Sequence, residues 1–270
     1  MRRRALTLAI ATASAIALVA AVVVYVGHGS DDVASCGPGF VVQGARCVVP
    51  EGTCPPPLAL GPRGCDAPDA RVRVEATKMT IGPSDWEAEG RVTPRIAHVD
   101  AFYMDVYEVT IAKLGDHAVP DGARAAFAVT RDEATSFCAT HHGRLPTEDE
   151  WLAAAAGAPG RRYPWGDTGA VCRRAAWGLA TGPCARGATG PDTVGAHPDG
   201  ASVQGIHDLA GNVAEWVTTP PGARTTSGVV RGGSWKTELA TGLRTWQRME
   251  IDVVARDPSV GFRCAYDTPD

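Results

Sequence analysis

The chain opens on its longest apolar stretch: after Arg2, Arg3 and Arg4, positions 5–26 carry no charge and are mostly Ala, Leu, Ile and Val. A helical membrane span needs about 20 apolar residues, so this run is long enough. A secretory signal peptide has a shorter apolar core, about 7–15 residues, followed by a small-x-small cleavage site. Here the run ends in Val22-Val23-Val24-Tyr25-Val26 with no such site adjoining. The pattern favours an uncleaved signal anchor over a cleaved signal, with residues 1–30 forming a short cytoplasmic tail and a membrane span through Ala5–Val26. Arginines held inside the cell place everything after Gly27 outside the cytoplasm, in the periplasm or at the cell surface. The competing reading takes Val33-Ala34-Ser35-Cys36 as a lipoprotein box acylated at Cys36, although Asp31 and Asp32 separate it from the apolar run.

Two helices announce themselves further on by the same device. Thr130-Arg131-Asp132-Glu133 and Thr147-Glu148-Asp149-Glu150 are capping boxes, in which the threonine hydroxyl accepts from the third helical amide and the glutamate reaches back to the cap. Acidic residues in the first turn suit the helix dipole. The first helix is predicted to run to about His141 with Ala134, Phe137 and Cys138 inward, and the second from Glu148 to Ala156, closed by Gly157. Eight glycines between 157 and 190 then break the chain every few residues and exclude long helices there. Short strands are predicted at 228–235 and 260–266.

Composition narrows the class without naming it. The 270 residues are 44% hydrophobic and 21% charged with net charge -4, an ordinary globular balance that argues against nucleic acid as a partner. Eight cysteines suit export, because disulfides persist in oxidising compartments. Cys36, Cys47, Cys54 and Cys65 fall in a segment, 31–70, that holds seven of the 20 prolines. That segment reads as a stalk with too few apolar residues for a core, held by two disulfides, and four cysteines allow three connectivities. Cys138, Cys172, Cys184 and Cys264 are scattered through one domain of ordinary size, 71–270. Cys172 and Cys184 are close enough in a glycine-rich loop to form a bridge of their own.

Five motifs in order then carry a resemblance: Gly143-Arg144-Leu145-Pro146-Thr147-Glu148-Asp149-Glu150-Trp151, Tyr163-Pro164-Trp165-Gly166, Asp208-Leu209-Ala210-Gly211-Asn212-Val213-Ala214-Glu215-Trp216, Arg231-Gly232-Gly233-Ser234-Trp235 and Gly261-Phe262-Arg263-Cys264. The chain resembles the formylglycine-generating enzyme, or sulfatase-modifying factor, family over about residues 72–268. Met79-Thr80-Ile81-Gly82 and Tyr107-Glu108-Val109-Thr110 look like that family's opening strands. The resemblance implies an α+β fold, a variant of the C-type lectin-like type with two short helices, small twisted antiparallel sheets and much irregular chain. It also implies a disulfide from Cys138 to Cys264. It further implies a calcium site made of the Asp208 side chain, the Gly211 and Val213 carbonyls and the Glu215 carboxylate, oxygen ligands of the kind a hard cation takes. A second calcium site of the family has an asparagine near Ala176, where this chain departs from the pattern. Without a metal, Asp208 and Glu215 would make ordinary turn hydrogen bonds and Asn212 would simply tolerate a left-handed backbone.

The chemistry of the family departs more sharply. Its copper oxidases hold Cu(I) through two cysteine thiolates shortly after Gly-Gly-Ser, since soft Cu(I) takes soft sulfur. Residues 235–242 of this chain contain no cysteine, so copper is not expected. Iron is not expected either, because the iron branch takes its three histidines mainly from an added N-terminal helical domain, and the seven histidines here include no H-x-x-x-H pair. The resemblance therefore points to a membrane-tethered, non-catalytic binding or scaffolding module. Its groove near Ser234, Trp235, Arg244 and Trp246 would take a peptide, glycan or protein ligand. The alternative is an oxidoreductase of the family acting on a protein cysteine or small molecule through an unassigned site.

Overall fold

The computed structural model describes residues 40–43, 46–62, 64–83, 89–115, 120–218 and 226–268. The apolar run at 5–26 and Cys36 lie outside the described residues. Among the described residues no helix is long and apolar enough to cross a membrane. The chain divides into two compact units, Met1–Val48 and Val49–Asp270. What is described of the first is a hairpin, β1 (Val41–Gln43) and β2 (Arg46–Val48).

The second unit begins earlier than the cysteine spacing predicts. Residues 49–70, grouped in the sequence with the stalk, form the hairpin β3 (Ala59–Gly61) and β4 (Gly64–Asp66), stapled by Cys54–Cys65. Of the three connectivities, the structure selects one in which Cys54 pairs with Cys65. This segment does not stand apart. Asp66 is buried and accepts the Thr110 hydroxyl at 2.8 Å, and Ala67 packs with Ala125, Val194 and Val213. A stretch that cannot enclose a core of its own lowers its free energy by joining a neighbouring one.

Both capping boxes form. Thr130 opens the helix Arg131–Thr140 and Thr147 opens Glu148–Ala155, each hydroxyl accepting from the third helical amide while Glu133 or Glu150 reaches back. A short helix, Ile111–Gly115, precedes them; in chain order the three are α1, α2 and α3. Strands β5 (Arg71–Val74), β8 (Phe102–Asp105) and β13 (Ala265–Tyr266) form one small sheet in the order β13-β8-β5. Strands β6 (Thr77–Ile81) and β7 (Arg95–Val99) pair as a hairpin. Strands β9 (Ala214–Val217), β10 (Ser227–Arg231), β11 (Arg248–Asp252) and β12 (Val260–Gly261) form a second sheet, order β11-β10-β9-β12, in which β12 alone runs parallel to its neighbour. The architecture is α+β, with short helices and small sheets.

Three sequence expectations shift here. The strand predicted at 260–266 splits into β12 and β13, which join different sheets; between them Arg263 turns its side chain into the interior and Cys264 forms a disulfide. The strand predicted at 228–235 stops at Arg231, because Gly232 and Gly233 in succession adopt φ of +95° and +70°, a backbone that glycine permits and that turns the chain out of the extended conformation. Tyr107–Thr110 is not a strand: it leaves β8 and turns Glu108 inward.

The core lies between these layers. Phe102, Met104, Trp151, Leu152, Leu209, Val217 and Val229 bring both sheets and α3 together. Ala134 and Cys138 of α2 pack with Leu145, Trp216, Val230 and Phe262, half-buried Phe137 lies against the same cluster, and Cys138–Cys264 ties α2 to the closing chain. Cys172–Cys184 closes the glycine-rich loop, as the spacing suggests.

Candidate functional site

The segment 208–216 is a turn wound on left-handed residues: Asp208, Gly211 and Asn212 have φ of +59°, +92° and +55°. A side chain at Gly211 would press its Cβ to 2.5 Å from the Ala176 carbonyl oxygen, so only glycine lets the turn approach its neighbour. The turn inserts its polar groups into the interior. Asp208 Oδ2 accepts the Gly195 N–H at 2.6 Å. Asn212 accepts the Asp192 N–H through Oδ1 at 2.7 Å and donates through Nδ2 to Glu108, which also receives the Val213 N–H at 3.2 Å.

Glu215 has different partners. Its Oε1 accepts from Arg263 Nη2 at 2.7 Å, and its Oε2 accepts from Arg263 Nε and Trp151 Nε1, each at 2.9 Å. Arg263 donates onward to the carbonyls of Asp105, Val106 and His207. Glu215 and Arg263 are 1% and 0% exposed, so the bridge is fully removed from water. Burial opposes the charge on Arg263, but Glu215 more than compensates and holds the guanidinium above its ordinary value.

These contacts engage the two carboxylates of the expected calcium set, Asp208 and Glu215. Calcium binds oxygens at about 2.3–2.6 Å. Both oxygens of Glu215 already accept donors, two on Oε2 and one on Oε1, so a calcium ion there would share a carboxylate that is paired with Arg263. Asp208 holds an amide and Glu215 a guanidinium. Among the described residues no group of three or more His, Cys, Asp or Glu is placed to hold a metal ion.

The turn nevertheless holds more negative charge than Arg263 can offset. Burial, then the neighbouring carboxylates Asp208 and Glu215, push Glu108 well above the usual carboxylate range. Burial pushes Asp208 up to about 6. A carboxyl whose folded pKa exceeds its unfolded value contributes stability that is present at low pH and lost as pH rises through the folded pKa. Asp208→Asn keeps an oxygen for Gly195 and carries no charge. It should therefore be more stable than the parent at pH 8 by roughly 1–3 kcal/mol, and show no such advantage at pH 4, with chelator present. Thermal unfolding at the two pH values tests this; a variant less stable than the parent at pH 8 in chelator would refute it.

After β10 the chain closes a compact loop. Thr237 Oγ1 accepts the Ser234 N–H and Thr237 N–H donates to the Ser234 carbonyl, both at 2.9 Å. The 3₁₀ turn Ala240–Leu243 folds Gly242 back so closely that a Cβ there would lie 2.6 Å from Thr237 Cγ2. Trp235 is 4% exposed, packs on Ala176 and Leu179, and donates from its indole to the Pro258 carbonyl at 3.0 Å. Ser234 is buried and Arg244 half-buried.

Trp246 faces elsewhere. It lines a cavity of about 310 Å³ framed by the β6–β7 hairpin, α3 and residues 245–248, whose wall carries Arg91, Arg95, Arg231 and Arg248 around Glu148. The groove expected from sequence is thus divided: Ser234 and Trp235 fill the interior, and Trp246 reaches an arginine-lined pocket.

Residues 60–268 match the model of the sulfatase-modifying factor enzyme 1-like domain. The chain belongs to that family. Among its curated relatives, hercynine oxygenase from Mycobacterium tuberculosis is 31% identical over 209 residues, 68% of this chain and 42% of that protein. The mouse inactive C-alpha-formylglycine-generating enzyme 2 is 36% identical over 147 residues, 51% of this chain and 47% of that protein. The chain spans less than half the length of these relatives. Two solved structures share the fold: PvdO from Pseudomonas aeruginosa, at TM-score 0.62 and 18% identity over 73% of this chain and 94% of that one, and Treponema denticola variable protein 1, at 0.60 and 20% over 73% and 95%. The fold is the C-type lectin-like variant of the sulfatase-modifying factor type.

Within this family fold, the sequence singles out Asp208 and Glu215 but not the residues that hold them. Glu108 and Arg263 stand there as motif letters only. The available signal is a charge inside an apolar string, Tyr107-Glu108-Val109 and Phe262-Arg263-Cys264, since a buried charge requires a partner. The arginines of the pocket leave no such trace, because arginine is frequent throughout this chain.

Proposed function

We propose that this chain is a non-catalytic, extracytoplasmic member of the sulfatase-modifying factor family that binds a ligand and is tethered by residues 5–26. The observation that carries the reading is the loop after Gly233. Thr237 and Gly242 meet in it without a sulfur atom, and Cys54, Cys65, Cys138, Cys172, Cys184 and Cys264 are all committed to disulfides. Serine, threonine and backbone oxygen are hard donors and offer a soft Cu(I) ion nothing comparable to thiolate. A fold supplies no chemistry without the groups that perform it, and a close loop packed on Trp235 leaves little room for an oxygen-activating centre. Three disulfides in one unit suit an oxidising compartment, which supports the topology read from the arginines before the apolar run. Retention of the fold is consistent with binding, since a rigid C-type lectin-like frame presents loops to a partner whether or not it catalyses.

The test uses the full chain. In spheroplasts of cells producing it, added protease should digest residues beyond Gly27. Purified in mild detergent and supplied with Cu(I), it should leave a cysteine-containing sulfatase peptide unchanged by mass spectrometry. Formylglycine in that peptide would overturn the non-catalytic reading, and full protection from protease would overturn the topology.

A further inference from the structure

The arginine-lined cavity beside Trp246 is undercompensated in charge. Glu148 Oε1 is shared by Arg231 and by Arg248, whose Nε donates to it at 3.1 Å. Arg95 is matched by Asp149, and Arg248 also reaches Glu250 at 2.9 Å. Arg91 lies over the Trp246 ring, 5.9 Å from its centroid, and faces no carboxylate among the described residues. Among the described residues, four guanidiniums thus meet three carboxylates, an excess of one positive charge.

Arg231 is the most telling of the four. It is 5% exposed, its Nη1 is used on the carbonyls of Thr245, Trp246 and Gln247 and its Nη2 on Glu148, while its buried Nε has no partner. Burial pushes its pKa below the ordinary value, with Glu148 opposing. A buried donor without an acceptor is costly, and its usual explanation in a native site is a ligand or water that completes it. The remaining wall is mixed: Met79, Leu152 and Trp246 give it an apolar portion, and Thr80, Thr93 and Thr245 stand beside them. Guanidinium groups match carboxylates in a planar fork, and pockets near 300 Å³ fit a small molecule or a single side chain.

We infer that this cavity binds a singly charged organic anion, a carboxylate carried on a small apolar or aromatic body, with Arg91 and Arg248 holding the head and Trp246 and Leu152 the body. The inference rests on the reading of the chain as a binding module and names the class of ligand it would take. A carboxylate would bring the count of charges to balance, whereas a phosphate dianion would overshoot it. The carboxylate could belong to a free small molecule or to an acidic or C-terminal residue of a peptide.

The experiment is calorimetric titration of the full detergent-solubilised chain with phenylacetate, benzyl phosphate and neutral 2-phenylethanol, and with a peptide ending in phenylalanine beside its C-terminal amide. Phenylacetate should bind, weaken as salt is raised, and exceed 2-phenylethanol at least tenfold. Arg91→Gln and Arg248→Gln, both at exposed positions, should each reduce its affinity about tenfold without altering the melting temperature of the unliganded protein. Preference for the free-acid peptide over phenylacetate would assign the carboxylate to a chain end; the reverse would assign it to a small molecule. Absence of phenylacetate and peptide binding, equal binding of 2-phenylethanol, stronger binding of benzyl phosphate, or indifference to both substitutions would overturn the inference. Turnover of a cysteine peptide would overturn the non-catalytic reading and leave this titration to be judged by itself.

Discussion

Replacing Arg263 with methionine is expected to destabilise the 49–270 unit far more than the loss of any exposed ion pair. Glu215, 1% exposed, would lose its guanidinium partner and, among the described residues, keep only Trp151 Nε1 as a side-chain donor. Breaking a buried ion pair by removing one partner costs about 3–5 kcal/mol, because the other charge is left uncompensated. In a domain of this size that corresponds to a fall in melting temperature on the order of 10 °C. The size of the loss follows from the lone charge, not from the net worth of the pair. The double variant Arg263→Met/Glu215→Gln should therefore recover much of it, since glutamine still accepts from Trp151 and carries no charge. Arg256→Met, which removes an exposed partner of Glu133, should leave the melting temperature nearly unchanged. If the single Arg263 variant melts with the parent, or the double variant is no better than the single, Glu215 is balanced by something other than Arg263.

The second large effect is expected from Cys138–Cys264. The bridge closes a separation of 126 residues, and in the chain-entropy view a loop of that length contributes about 4–5 kcal/mol by restricting the unfolded chain. Cys138→Ser/Cys264→Ser also places two hydroxyls where both sulfurs are wholly buried in an apolar cluster, which adds to the loss. The corresponding change at Cys172–Cys184, separation 12, should cost about 3 kcal/mol at most, because a short loop has less entropy to lose. Denaturant unfolding of the two paired variants in oxidising buffer checks the order. Equal losses would mean that local packing, not loop closure, sets the contribution of both.

Much of this protein is legible in its letters because the relevant forces are local. A threonine followed three residues later by glutamate specifies its cap within a single turn, and both predicted helices start where those boxes stand and end within a residue or two of the expected stop. Glycines at 232 and 233 likewise mark where a strand must end, although strand prediction by composition carries it through them to Trp235. The ordered motifs identify the family, and with it the α+β architecture and the Cys138–Cys264 bridge.

The partners of the buried charges were decided only by tertiary structure. Nothing near Glu215 in sequence says that its acceptor oxygens will be taken by Arg263, 48 residues away, and Trp151, 64 residues away. A motif holds groups able to bind calcium or a guanidinium alike, and the choice depends on which donor the folded chain brings within hydrogen-bond distance. The same holds for the groove. Trp235 and Trp246 are equivalent to a hydropathy scale, yet one is packed inside against Ala176 and Leu179 and the other walls a cavity with arginines from β7, β10 and β11. Short-range hydrogen bonds and backbone geometry made the helices and the strand end legible in the sequence; long-range pairing of charges in a low-dielectric interior made the site, and only the fold could assemble it.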